Sequence, residues 1–117
     1  MAVIDPQVMS ELRALQTAGA PGFLAELIDI FIKEQAQHLA RLRKAFQDRD
    51  TAMLERVAHT MKGSCGNLGA KELSKVCSEL QGVARAADWD RAGAMVSQIE
   101  QDSRAVETEL RAERSRE

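Results

Sequence analysis

Beyond Pro21 the chain holds no proline up to its last residue, Glu117, and its apolar residues recur along that length every three or four positions. Proline is the residue a helix interior tolerates least, and that period marks one face of an α-helix. The pattern therefore predicts a chain built of helices, and five stretches emerge. Asp5-Pro6 reads as an N-cap followed by proline at the first helical position, opening a short helix to about Gln16 with Val8, Met9, Leu12 and Leu15 apolar. "TAGAPG" (17–22) is the clearest break. A long periodic run then carries Leu24, Leu27, Ile28, Phe31, Leu39, Leu42 and Phe46 to about Asp48.

Asp50 caps a third helix with Met53, Leu54, Val57, Ala58, Met61 and Leu68 on one face, and Gly69 ends it as a C′ glycine. A fourth helix over about 70–87 uses Leu73, Val76, Cys77, Leu80 and Ala84. "ADWD" (87–90) is a break with Asp88 as cap. The last helix shows Ala92, Met95, Val96, Ile99, Val106 and Leu110 before the chain frays in "RAERSRE". The expected fold is all-α. An antiparallel four-helix bundle spans about 22–114, a short helix over about 6–16 covers one end, and 1–117 form a single domain.

Charge and cysteine usage narrow the function. The net charge is −2 with both signs interspersed, which gives no electrostatic footprint for nucleic acid or an anionic membrane. The first twenty residues include Asp5, Glu11 and Arg13 and lack an apolar signal-peptide core, and no apolar run is long enough to span a bilayer. Cys65 and Cys77 lack metal-site or redox-motif spacing and read as reduced packing thiols. His38, beside Gln35 on the apolar side of the second helix, reads as a boundary or satisfied core histidine. A cytoplasmic protein with no metal site and no cofactor of its own is expected.

The third helix carries the anomaly. Gly63 and Gly66 each cost a helix about 0.5–1 kcal/mol relative to alanine. At 100° per residue, His59 points close to opposite the apolar face, with Lys62, Gly63 and Gly66 within about 60° of it. Both glycines are thus expected on the exposed side, away from the core, where a missing Cβ lets a bulky partner reach the imidazole. If the third and fourth helices fold back about a tip near residue 70, His59 stands level with Gln81. Gln81 lies on a polar stripe with Ser74, Ser78 and Arg85, so an amide and a guanidinium are expected near the ring. The amide would bond one ring nitrogen, fix the tautomer and leave the other nitrogen free.

These residues carry a resemblance. "HTMKGSCGNLG" (59–69) is similar to the signature of histidine-containing phosphotransfer (HPt) domains, roughly H-x-x-K-G-[S/A]-x-x-x-[L/I]-G. The segment 24–50 resembles that family's long helix before the histidine helix, and the likeness covers about 22–110. It implies a phosphorelay carrier: His59 accepts a phosphoryl group from a receiver-domain aspartate, usually on Nε2, and passes it to another receiver aspartate. Lys62 would steady the phosphoryl oxygens, and Gln81 matches the position of a Gln or Glu near the histidine. Gly63, Gly66, Arg85, Arg56 and Glu55 would contribute to docking. Partners would be response-regulator receiver domains and a hybrid sensor kinase, met by a monomer, with Mg²⁺ supplied by the receiver. No autokinase or ATPase activity is implied.

Two alternatives stand beside this reading. One is an N-terminal HPt module of a larger chemotaxis-type or hybrid histidine kinase, although an end at Glu117 suits a free-standing protein. The other is a non-catalytic helical scaffold. A sensor-kinase dimerisation domain fits less well. That family follows its histidine with an acidic residue and places a proline five positions on, where this chain has Thr60 and Ser64.

Overall fold

The computed structural model describes residues 3–117. Its five helices are α1 (Pro6–Thr17), α2 (Phe23–Gln47), α3 (Thr51–Asn67), α4 (Lys71–Arg85) and α5 (Trp89–Ser115). Helices α2 to α5 each pack on the next and α5 closes back on α2, which makes the four-helix bundle; α1 is the additional helix. Three aspartates start helices as expected. Asp5 accepts from Gln7 N at 2.8 Å, Asp50 from Met53 N at 3.0 Å and Asp88 from Arg91 N at 3.3 Å, each meeting a backbone donor with no partner inside its helix.

Three of the helices end alike. The chain turns through the left-handed region at Arg49 (φ 55°), Gly69 (φ 85°) and Ala87 (φ 52°). The next amide then reaches back to the last turn, Asp50 N to Ala45 O, Ala70 N to Cys65 O and Asp88 N to Val83 O. Only Gly69 announces this closure by residue type, so α4 stops at Arg85 and not at Ala87. At that tip α1 docks: Asp5 N donates to Gly69 O at 2.8 Å and Lys71 Nζ pairs with Asp5 at 2.6 Å. A Cβ on Gly69 would stand 2.9 Å from Val8 Cβ, so glycine is required there twice over.

The core runs the length of the bundle through Leu24, Ile28, Leu42, Leu54, Met61, Leu80, Ile99 and Leu110. Several expectations need correction. Leu15 is exposed and Met53 lies open on α3 at 37% exposure, while Val83, on no expected face, is buried. The C-terminal segment does not fray. It stays helical to Ser115 because Arg13 pairs with Glu113 and Arg114 holds Asp29 through two bonds at 2.7 and 2.9 Å. Cys65 and Cys77 are fully buried packing thiols; the neighbouring Cys65 thiol and burial push the Cys77 thiol far above its ordinary value. Beside them Gln35 donates to Ser103 Oγ at 3.1 Å and Cys65 Sγ at 3.7 Å.

Candidate functional site

The hairpin of α3 and α4 is in register about residue 70, so residues equally far on either side face each other. Nearest the tip, a Cβ on Gly66 would lie 3.5 Å from Ser74 Oγ. In the middle, Gln81 Nε2 stands 3.3 Å from His59 Nδ1. One turn farther, Arg85 Nε donates to Glu55 Oε1 at 2.6 Å. The spacing of four along α3 from Glu55 to His59 keeps the last two pairs on one side of the hairpin.

His59 is exposed on the outer side of α3, and its Nδ1 is the ring nitrogen that meets the Gln81 amide. An amide offers either an NH₂ donor or a carbonyl acceptor, so the same contact accommodates either neutral tautomer. With the carbonyl turned to the ring, Nδ1 keeps the proton and Nε2 carries the free lone pair. Lys62 is exposed, and among the described residues it has no ion-pair partner. Its backbone is fixed because Ser74 Oγ donates to the Lys62 carbonyl oxygen at 2.8 Å.

The two glycines turn out to differ. Gly63 is exposed, and a Cβ built on it meets nothing within 4 Å, as expected of a surface left open beside the ring. Gly66 is half-buried against α4, which corrects its expected place on the exposed side. A Cβ there would make only ordinary contact with Ser74 Oγ, so half-burial against α4 does not by itself require this glycine. Arg85 stands one turn from the His59–Gln81 pair, and its guanidinium is engaged there by Glu55. That ion pair joins two residues separately expected at a docking face, and nothing in either one's local sequence pattern links them.

His38 meets one of its two expected readings. It sits at a boundary, but its Nδ1 is buried without a hydrogen-bond partner, so it is not a satisfied histidine. Burial holds its pKa below the ordinary value, with Glu34 opposing that shift and Arg41 adding to it. It lines a cavity of about 250 Å³ between α2 and α3, together with Arg41, Met53, Arg56, Val57 and Thr60. Among the described residues no three His, Cys, Asp or Glu side chains converge as a metal site, and no helix is long and apolar enough to cross a membrane.

Comparison with known proteins agrees with this geometry. The Hpt domain family model matches residues 26–114. Histidine-containing phosphotransfer protein 2 of Arabidopsis thaliana is 24% identical over 110 residues, 92% of this chain and 70% of that protein. The crystal structure of histidine-containing phosphotransfer protein B (HptB) from Pseudomonas aeruginosa PAO1 superposes with a TM-score of 0.86 at 31% identity, covering 97% of this chain and 96% of that one. The histidine-containing phosphotransfer protein ZmHP2 from maize gives a TM-score of 0.87 at 18% identity, over 95% of this chain and 82% of that one, a likeness of fold.

Proposed function

This chain belongs to the Hpt domain family, the histidine phosphocarriers of two-component signalling, and we propose that His59 is the residue that carries the phosphoryl group between receiver-domain aspartates. The observation that supports this reading best is the Gln81 amide at 3.3 Å from Nδ1, beside the open backbone of Gly63. With the Gln81 amide turned so that its carbonyl accepts from Nδ1–H, the Nε2 lone pair attacks the phosphorus of an aspartyl phosphate. The N–P bond forms as the acyl P–O bond breaks, and the aspartate leaves as a carboxylate. The ring keeps its Nδ1 proton throughout. Attack by a second receiver's aspartate reverses the same step.

Phosphoryl transfer depends mostly on positioning and charge stabilisation, so the protein needs few groups. Lys62, one turn from His59, supplies an ammonium to the phosphoryl oxygens. Gly63 lets the receiver's loops approach, and Glu55, Arg56 and Arg85 lie where such a partner would rest. Mg²⁺ comes with the receiver's acidic pocket and not from this chain. Partners on this reading are receiver domains of response regulators and of a hybrid sensor kinase, met one at a time by a monomer in the cytoplasm. The chain has no ATPase or autokinase step of its own.

The test is phosphoryl transfer from a panel of phosphorylated receiver domains to the wild type and to His59→Gln. The reading expects acid-labile, base-stable label on the wild type and none on the variant, followed by loss of label to a second receiver. Label on the variant, or receiver binding that is unchanged in the variant and never accompanied by transfer, contradicts it.

A further inference from the structure

The cavity between α2 and α3 has a chemistry that the carrier step does not use. Arg41 from α2 and Arg56 from α3 face the same space, with the buried, unpartnered Nδ1 of His38 beside them and Met53 and Val57 as its apolar lining. Arg13, Arg43, Arg85, Arg111, Arg114 and Arg116 are each paired with a carboxylate. Arg41 and Arg56 have no such ion pair among the described residues. Two guanidiniums on facing helices with no acid between them leave a repulsion that an incoming anion relieves. Glu34, a turn from His38 on α2, lines a different cavity, and Glu55 is held on the opposite side of α3 by Arg85; Asp48 and Asp50, in the adjoining cavity that Arg41 and Met53 also line, are engaged by Lys44 and by the Met53 amide.

The notch adjoins the His59 face. At 100° per residue, Arg56 lies about 60° around α3 from His59, and Gly63 falls between His59 and Thr60. Along the axis Arg56 lies about 4.5 Å from His59, on the side away from Gly63, so a body that rests on His59 and extends toward the start of α3 reaches this notch. Met53, 37% exposed, offers it an apolar contact. We propose that the notch of His38, Arg41 and Arg56 receives a carboxylate side chain of the receiver domain that docks at His59. This rests on the phosphocarrier reading. An Arg fork takes a carboxylate through two hydrogen bonds, and a charge at the rim of an interface acts chiefly on encounter rate and partner choice. The notch is thus a second point of recognition, set apart from the reacting nitrogen.

The experiment uses the phosphorylated receiver domain that labels the wild type fastest. Arg41→Glu is the decisive variant, because Arg41 belongs to α2 and not to the helix that bears His59; Arg56→Glu is its counterpart. Each is expected to lower the second-order transfer constant by about tenfold or more and to flatten its salt dependence. The rate at saturating receiver and the lifetime of the phosphohistidine are expected to stay as in the wild type, and the thermal midpoint is expected not to fall. An acidic-to-lysine change on the receiver that restores transfer to Arg41→Glu would identify the carboxylate. Second-order constants equal to the wild type's overturn the proposal. So does unchanged transfer in variants that have lost a stabilisation by sodium phosphate at fixed ionic strength, which would make the notch a site for free anions. A wild type that no receiver labels is the separate failure of the carrier reading.

Discussion

Gln81 Nε2 lies 3.3 Å from His59 Nδ1 across 22 residues of chain, because the α3–α4 hairpin is in register about residue 70. On the carrier reading the amide is turned so that its carbonyl, not its NH₂, faces Nδ1, and it then holds the ring in the tautomer whose Nε2 is free. A hydrogen bond of this kind is worth about 1 kcal/mol, or roughly fivefold in rate. Gln81→Ala is therefore expected to slow transfer by about that factor at saturating receiver with little change in thermal midpoint, since Gln81 is only half-buried. Transfer at the wild-type rate would remove the amide from the mechanism.

Gly63→Ala separates stability from docking. The added Cβ meets nothing within 4 Å, so it brings the helix propensity of alanine without a clash. A gain of about 0.5–1 kcal/mol is expected, together with weaker transfer from a receiver. Calorimetry beside transfer kinetics decides it. A fall in stability, or faster transfer, contradicts the view that the open backbone serves a partner.

The helix ends offer a test with opposite signs. Gly69→Ala forces a side chain into the left-handed region at φ 85° and sets its Cβ 2.9 Å from Val8 Cβ, so a loss of about 1–3 kcal/mol is expected. Ala87 already sits in that region at φ 52° with a Cβ, and Ala87→Gly relieves it. Its expected gain is about 0.5–1 kcal/mol in denaturant unfolding. A destabilised Ala87→Gly would contradict the geometry of that turn.

The register, the aspartate caps and the apolar faces were legible because each follows from spacing or from a residue type with one dominant use. The unforeseen features depend on what a neighbouring helix brings. Gly63 and Gly66 look alike in sequence, yet only the arrival of Ser74 tells them apart. The Glu55–Arg85 pair, the open position of Met53 and the unpartnered His38 are likewise set between helices. Arg49 and Ala87 adopt a conformation that neither residue type advertises.

His38 ties stability to pH. Burial lowers its pKa in the folded chain, with Glu34 raising it and Arg41 on α2 lowering it further, while Arg56 lines the same cavity from α3. A ring that ionises less readily when folded takes its proton preferentially in the unfolded chain. The stability present above the unfolded value, near 6.5, is therefore lost as pH falls through it toward the folded value. The thermal midpoint of the wild type is expected to drop more steeply between about pH 7 and 5.5 than that of His38→Gln. Parallel curves would contradict this.

The most direct measurement of the central claim is a long-range ¹H–¹⁵N NMR spectrum of the chain, labelled with ¹⁵N in its imidazoles and phosphorylated by a receiver domain. The account predicts a phosphoryl group on Nε2 of His59, with Nδ1 protonated and the His38 signals unchanged. Phosphorylation on Nδ1 of His59, or on His38, would contradict it.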